Sequence, residues 1–446
     1  MTLRLITRES KRNLAWDIAN DLIKEYRFIT TNDTLETYVY EDGIYSTMDA
    51  DSLILSKITE CLEDRATTHV LKEVKNHIKG LTIVNREAFN ANLGEICVKN
   101  GILCLLTGKL EAHTPDKVFF SKIPLIYDPL AGCPTITKFM HEILPEADYS
   151  NIIELFGYCL YRSYPIHKAF MFVGDGANGK STLINLLKAF LGNNNCSSVS
   201  LQDFEKKQFA LAALNNKLAN LYSDLSHNSL YATGKFKMLT GEDTTTCERK
   251  FKDPFEMTNY AKLIFSCNRI PANENDDTIA FWRRWIIINF PNQFLGNNAD
   301  KNLMIKITAE PELSGLLNLA IAGLQELLVR GEFFNNKVAD DVRERYIKLS
   351  DSVKAFGIDK IETDADAVIV KKELLAAYFQ YCREQNVPAI SEKTFFQRIY
   401  KYYNIVDIRL PDVGRERAVR GIRIKDENND VKTLSTTMSK ISPYLY

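Results

Sequence analysis

No two cysteines stand in a C-x-x-C spacing, and the nine present, at 61, 97, 104, 133, 159, 196, 247, 267 and 382, are odd in number and scattered. A disulfide scaffold is thereby excluded, and a reducing compartment is the expected setting. An excess of one charge is lacking too, since 56 Lys and Arg stand against 57 Asp and Glu for a net charge of −1. The balance gives no global case for nucleic acid, so such binding would need a local basic surface, for instance the lining of a ring or channel. Glycine (20) and proline (13) are too few for a collagen-like or low-complexity chain. No run approaches about 18 uncharged apolar residues, which predicts no membrane span. The opening MTLRLITRESKRNLAW meets charge too early for a secretory signal. Repeats of fixed period are missing, which weakens solenoid readings. What is left is 446 residues, 45% hydrophobic and 25% charged, enough for about three globular domains. The expectation is a soluble, cytoplasmic chain.

Five stretches are expected. Residues 1–80 form an N-terminal α/β region, in which YVYEDGIYS (Tyr38–Ser46) reads as a hairpin turning on Asp42-Gly43. Residues 81–149 begin turn-rich, with short strands broken by Asn-Gly, Thr-Gly and Asp-Pro, and continue into a helical collar. Over 150–295 the apolar runs AFMFV, LANLYS, KLIFSC and WIIINF alternate with loops and helices, an α/β layout of buried strands. A helical extension fills 296–345. The last unit, 346–446, has helices near 371–385 and 392–403 and a charged strand, AVRGIRIK.

The sharpest motif is GDGANGKST, which spans Gly174, Asp175, Gly176, Ala177, Asn178, Gly179, Lys180, Ser181 and Thr182. It fits G-x-x-x-x-G-K-S between a strand, Phe170–Val173, and a helix, Leu183–Gly192. A short glycine-rich turn lets successive N–H groups point inward around phosphate oxygens, and the helix start adds its positive end. Lys180 then meets the β/γ-phosphates and Ser181 offers a hydroxyl to Mg²⁺, so ATP and Mg²⁺ are the expected cofactors.

Three landmarks follow in order. In LANLYSDL the apolar run ends on Asp224, where a carboxylate at the end of a buried strand would hold the metal or its water; a turn cap is the plain alternative. KLIFSCN ends on Asn268, whose amide would orient water or cap the next segment. FWRRW sets Arg283 and Arg284 before a strand, as a core-edge ion pair or as an arginine finger reaching a neighbour's ATP. Between them, Arg249, Lys250 and Lys252 lie on a short strand–turn whose alternation would aim Lys250 and Lys252 the same way, toward a DNA backbone. In the last unit nine basic residues stand against four acidic ones between Ser391 and Lys425, among them Arg415, Arg417 and Arg420, with Gly414 in the turn expected before the return strand. That local charge points to a second DNA-facing surface, with a protein-contacting domain of the same fold as the alternative.

This ordered set resembles the superfamily 3 helicases of viruses, phages and plasmids, in the poxvirus D5-like and phage P4-like primase-helicase branch. VKNGIL, TGKL, YDP and CP…FM…ILPE resemble the segment before the ATPase; ELFGYCLY leads into FVGDGANGKSTL; FKMLTGED with CERKFKDPF resembles the hairpin segment. The resemblance implies a P-loop AAA+-like core with a helical collar and a C-terminal winged-helix domain. It implies a 3′→5′ DNA helicase that forms a ring, six-fold in this class, on single-stranded and forked DNA at the replication site inside the host cell. Lys180, Asp224, Asn268 and Arg283, with Arg284 as second choice, become the catalytic set. Ser223 stands where relatives often carry a second acid, so Glu242 or Asp243 would polarise water, or Asp224 would do both tasks. Relatives often carry a primase domain upstream, and the roughly 80 residues before the helicase-associated region are too few for one, so a separate primase or polymerase is an expected partner, or the chain is part of a longer protein. The rival reading is an ATP-switched origin-binding initiator or scaffold that does not unwind DNA. A metabolic P-loop kinase is a third.

Overall fold

Apolar runs without alternation become the inner strands of one parallel sheet, because only a strand covered on both faces tolerates a continuous hydrophobic sequence. In the computed structural model, Ala169–Val173 is buried at all five positions and Lys262–Cys267 at all six. The order across the sheet is Trp285–Asn289, Ala169–Val173, Lys262–Cys267, Ala219–Tyr222 and Cys196–Ser197, every pairing parallel. The described residues are 14–85, 93–228, 230–273, 275–295, 300–385, 387, 389–410 and 416–425. By contacts they divide into two units, the second comprising Val338 onward together with His227–Ser229 and Arg269–Ala272.

Within the first unit, the strand Ala169–Val173 feeds the helix Lys180–Leu191, whose Leu183, Leu186, Leu187 and Phe190 are buried. The helix Glu146–Leu160 packs against Glu310–Arg330 in the same core. By length and composition Glu310–Arg330 matches a membrane span, yet Leu313, Leu316, Leu317, Ala320, Leu324 and Leu327 are buried inside the protein. Ser314, also buried, accepts a hydrogen bond from the Asp128 amide. A core helix explains the apolar run.

Ahead of this lie two smaller sheets. The expected hairpin forms from Thr37–Glu41 and Ile44–Ser46, with Asp42 at a positive φ of 49° in the turn. It belongs to a four-stranded sheet with Phe28–Thr31 and Ile83–Val84, covered by Leu14–Glu25, Thr47–Leu62 and Thr68–Leu81. The turn-rich stretch gives a three-stranded antiparallel sheet, Glu95–Val98, Gly101–Cys104 and Leu110–Glu111.

The second unit runs helix Ser352–Lys360, strand Ile361–Val370, helices Lys371–Glu384 and Glu392–Tyr402, then strands Val406–Arg409 and Arg417–Ile424. Its sheet is antiparallel with Arg417–Ile424 in the middle. Phe356, Leu374, Tyr378, Phe395, Ile399 and Val419 form its core.

Candidate functional site

The parallel register decides which residues can meet. Val173 pairs with Cys267, and Phe265 with Tyr222. Gly174, Asn268 and Asp224 therefore leave adjacent strands at one edge of the sheet, the edge formed by the strands' carboxyl ends. Neighbouring strands lie about 4.8 Å apart, so Asp224 stands roughly 10 Å across from the loop, with Asn268 between. The Cys267 thiol gives an independent sign of this convergence. Burial pushes it up to about 12, and the charges that act on it are Lys180 and Asp224.

The loop is shaped by close approach. A Cβ on Gly174 would meet Asn178 Nδ2 at 2.4 Å and the Phe290 carbonyl at 2.7 Å; one on Gly179, at φ 87°, would meet Ile143 Cγ2 at 2.6 Å. Neither position admits a side chain. Ala177 takes a positive φ of 59°, and its carbonyl accepts from the Phe294 amide at 2.7 Å. Asn178 is buried, and its Oδ1 accepts from Lys180 Nζ at 2.9 Å. That ammonium also donates to the carbonyls of Gly174 and Asp175, and burial lowers its pKa. Asp175, Gly176, Ala177 and Ser181 are exposed, and Thr182 is half-buried. Helix Lys180–Leu191 starts at Gly179, so its first unpaired N–H groups face the loop.

Beside the loop is a cavity of about 530 Å³. Phe139, Ile143, Phe294, Leu303 and Met304 give it apolar walls, and Thr182 joins it to the loop. Lys138, Glu142, Asp300, Lys301 and Lys306 line it as well, and its size suits a drug-sized group. The sequence marked Phe139 and Ile143 only as part of CP…FM…ILPE and the others not at all, because helix Pro134–Ile143 and helix Leu303–Ile307 come from stretches some 160 positions apart. Ser181 and Asp224 are both exposed at the same edge, and no cluster of three or more His, Cys, Asp or Glu occurs among the described residues. A cation here would take few protein ligands and keep waters or phosphate oxygens, as Mg²⁺ does.

The two arginines part company at the opposite edge. Trp285 pairs with Ala169, so the residues before it lie at the amino end of the sheet. Five strand residues of about 3.3 Å each separate that end from the loop, roughly 16 Å. Arg284 is buried there, with Nε donating to Thr240 Oγ1 at 2.9 Å and Nη1 to the Ala280 carbonyl. Arg283 is exposed; its carbonyl accepts from Lys168 Nζ at 2.6 Å and its amide donates to the Ile279 carbonyl at 2.9 Å. Burial pushes Lys168 down to about 8, and burial with the charges of Arg284 and Arg283 lowers the pKa of His167.

Two expectations need correction. Glu242 and Asp243 do not lie by the loop. The Glu242 carboxylate accepts from Ser163 Oγ and the Tyr164 amide, and both acids act electrostatically on His167, which places them at the amino edge. Nor do Lys250 and Lys252 share a face. Arg249 pairs with Lys252, so Lys250 and Phe251 form the two-residue tip of the hairpin Thr244–Arg249 and Lys252–Thr258. Arg249 Nη1 and Lys252 Nζ both meet Glu36 Oε1 at 2.7 Å, and the two cations hold the Glu36 carboxyl below its usual range despite its burial. Lys250 is exposed, with Nζ 4.9 Å from the centre of the Phe251 ring. In the second unit Arg417 and Arg420 are exposed, and Arg417 lies across from Arg409. Gly414 and Arg415 lie outside the described residues.

Comparison with known proteins follows these landmarks. Residues 7–145 match the family described as "D5 N terminal like", and residues 172–284 match a family of unknown function, DUF5906. The second match runs from the strand before the phosphate loop to Arg284. The protein named "Putative helicase L207/L206" of Acanthamoeba polyphaga mimivirus is 27% identical over 263 residues, 54% of this chain and 27% of its own length. The chain thus spans about a quarter of that relative. Among solved structures, an apo form of the NrS-1 C-terminal region aligns over 91% of this chain and 99% of its own, at 13% identity and a TM-score of 0.47. A second structure of that region covers 93% and 100%, at 14% identity and 0.46. The resemblance to the D5-like branch read from the motifs is supported by the matches to residues 7–145 and to the viral protein.

Proposed function

From a chain with a D5-like N-terminal region ahead of a phosphate-loop sheet, we propose an ATP-hydrolysing DNA helicase of a viral replication system. Its catalytic sites would be shared between subunits of a ring. One observation carries this reading: the loop, Asp224 and Asn268 are at one edge of the sheet, and the exposed Arg283 is at the other, roughly 16 Å away. A chain with complementary half-sites on opposite edges would complete them by head-to-tail contact with copies of itself, which gives a ring where the rotation between copies closes.

The cavity beside Thr182 would take the base, and the loop and helix start the phosphates. Bound MgATP supplies the phosphoanhydride whose hydrolysis drives movement. Lys180 would turn from the loop carbonyls to the β/γ-phosphates. Ser181 and Asp224 would hold the metal ion, and Asn268 would orient the attacking water. Arg283 of the adjoining subunit would stabilise transition-state charge. Arg284 would brace Arg283 from within. Asp224, beside Ser223, is left as the acid nearest the water, since Glu242 and Asp243 are at the other edge. Sheet order and the positions of these residues support an AAA+-like core.

The second unit's helix and strand order, with its central strand returning from a turn, supports a winged-helix domain docking on DNA through Arg417 and Arg420. That unit also suits the rival reading, an initiator that binds DNA under ATP control without unwinding it. ATPase stimulation by single-stranded DNA together with displacement of a labelled strand at a fork supports the helicase. ATP-dependent binding with no displacement overturns it in favour of the initiator. Polarity would be read from forks with a single 3′ or 5′ tail, with 3′→5′ travel expected.

A further inference from the structure

The second position of a tight hairpin turn, where φ is positive, favours glycine or asparagine, because a side chain there crowds the backbone. Here it is Phe251, at φ 61°. The side chain gains nothing from packing in return. It is 93% exposed, the most exposed large apolar side chain among the described residues. An aromatic group held out of the core in a costly conformation is the kind of local conflict that accompanies a contact made elsewhere. Its neighbours narrow the chemistry. Lys250 lies over the ring face, and Arg249 and Lys252 stand one step behind, tied to Glu36.

We infer that Phe251 stacks on an unpaired nucleobase, with Lys250 on the adjoining phosphate, while Arg249 and Lys252 stay with Glu36 as the fixed base of the hairpin. An aromatic face flanked by a cation is the arrangement that grips single strands without base preference. A neutral apolar partner would not need the surrounding cations, and a duplex would hide its base faces. The inference rests on the proposed helicase function, and it adds which atoms of this hairpin would meet the single strand.

The test compares binding of the full chain, with nucleotide present, to a labelled oligothymidylate and to an abasic strand of equal length. Wild type should prefer the base-bearing strand. Phe251→Gly should bind that strand about tenfold more weakly and the abasic strand as wild type does. Its thermal midpoint should not fall, since glycine adopts this φ without strain. Phe251→Trp should keep the preference, with its added fluorescence quenched by the base-bearing strand. A Phe251→Gly protein that keeps the wild-type preference, or loses equally on both strands, overturns the stacking contact alone. Wild type that binds neither strand overturns the helicase reading and the contact with it.

Discussion

At the loop edge of the central sheet, Lys180 is buried and its ammonium rests on backbone carbonyls, while Asp224 and Asn268 stand exposed beside it. At the other edge the pattern is reversed. Arg284, Lys168 and Glu242 are taken up by Thr240, the Arg283 carbonyl and the Tyr164 amide, and the Arg283 side chain is exposed. The first edge presents groups around a concave loop, and the second holds one guanidinium outward on a tightly bonded platform. On the proposed function, the difference would separate residues that contact nucleotide from residues that position the one that reaches it from a neighbour.

The largest effects are expected at the loop. Lys180→Ala should lower ATP turnover by at least ~10-fold, because the charge that meets the phosphates is lost while the loop and helix start persist. Measured turnover within about twofold of wild type in the folded variant would remove the loop from the chemistry. Next, Arg283→Ala and Arg284→Ala should differ in kind. Arg283→Ala should reduce turnover by a similar ~10-fold or more with an unchanged thermal midpoint. Arg284→Ala should lower the midpoint by several degrees, since it leaves buried Thr240 Oγ1 and the Ala280 carbonyl without this donor. Equal midpoints for both would show that the edge is not built as described.

Glu242→Ala should cost about 1–2 kcal/mol of stability through the unpaired Tyr164 amide, with turnover kept near wild type. A loss of turnover as large as that of Asp224→Ala would return Glu242 to the role of water-polarising acid. The smallest effect concerns Lys262, fully buried, with Nζ donating to the carbonyls of Tyr161, Ser163 and Tyr260. Burial pushes it down to about 7. The unfolded chain, with an ordinary lysine near 10.4, then binds this proton more tightly than the folded one. Stability should therefore rise with pH from about 7 toward 10, and the penalty should be complete below about 7. Lys262→Met should flatten this rise between neutral and alkaline pH, without abolishing it, since Lys168, pushed down to about 8, acts in the same sense. An identical slope in the variant would deny that Lys262 titrates in this range.

What was legible follows from range. The glycine-rich loop reads directly as a turn between strand and helix because its signal is contiguous, with the strand Ala169–Val173 before it and the helix Lys180–Leu191 after it. Helix Glu392–Tyr402 was readable for the same reason, from its periodicity and the capping Ser391. The hairpin was readable as strand and turn, but its tip was not. Strict alternation put Lys250 and Lys252 on one face, while the actual turn sits between Arg249 and Lys252. Glu36, 213 positions from Arg249, leaves no local trace. Glu242 and Asp243 were assigned by position along the chain, and the crossover into the parallel strand Lys262–Cys267 carries them to the far edge. The cavity walls Phe139, Phe294 and Met304 look like ordinary core residues until the fold brings them beside Thr182.

The central claim is that each site is completed by a second copy of the chain. Co-expression of Asp224→Ala with Arg283→Ala, followed by ATPase measurement on mass-verified mixed assemblies, tests it most directly. Each variant alone should be nearly inactive. Mixed assemblies should recover turnover, because some interfaces join an intact Asp224 edge to an intact Arg283 edge. Verified mixed assemblies with no more turnover than either parent would contradict the shared site.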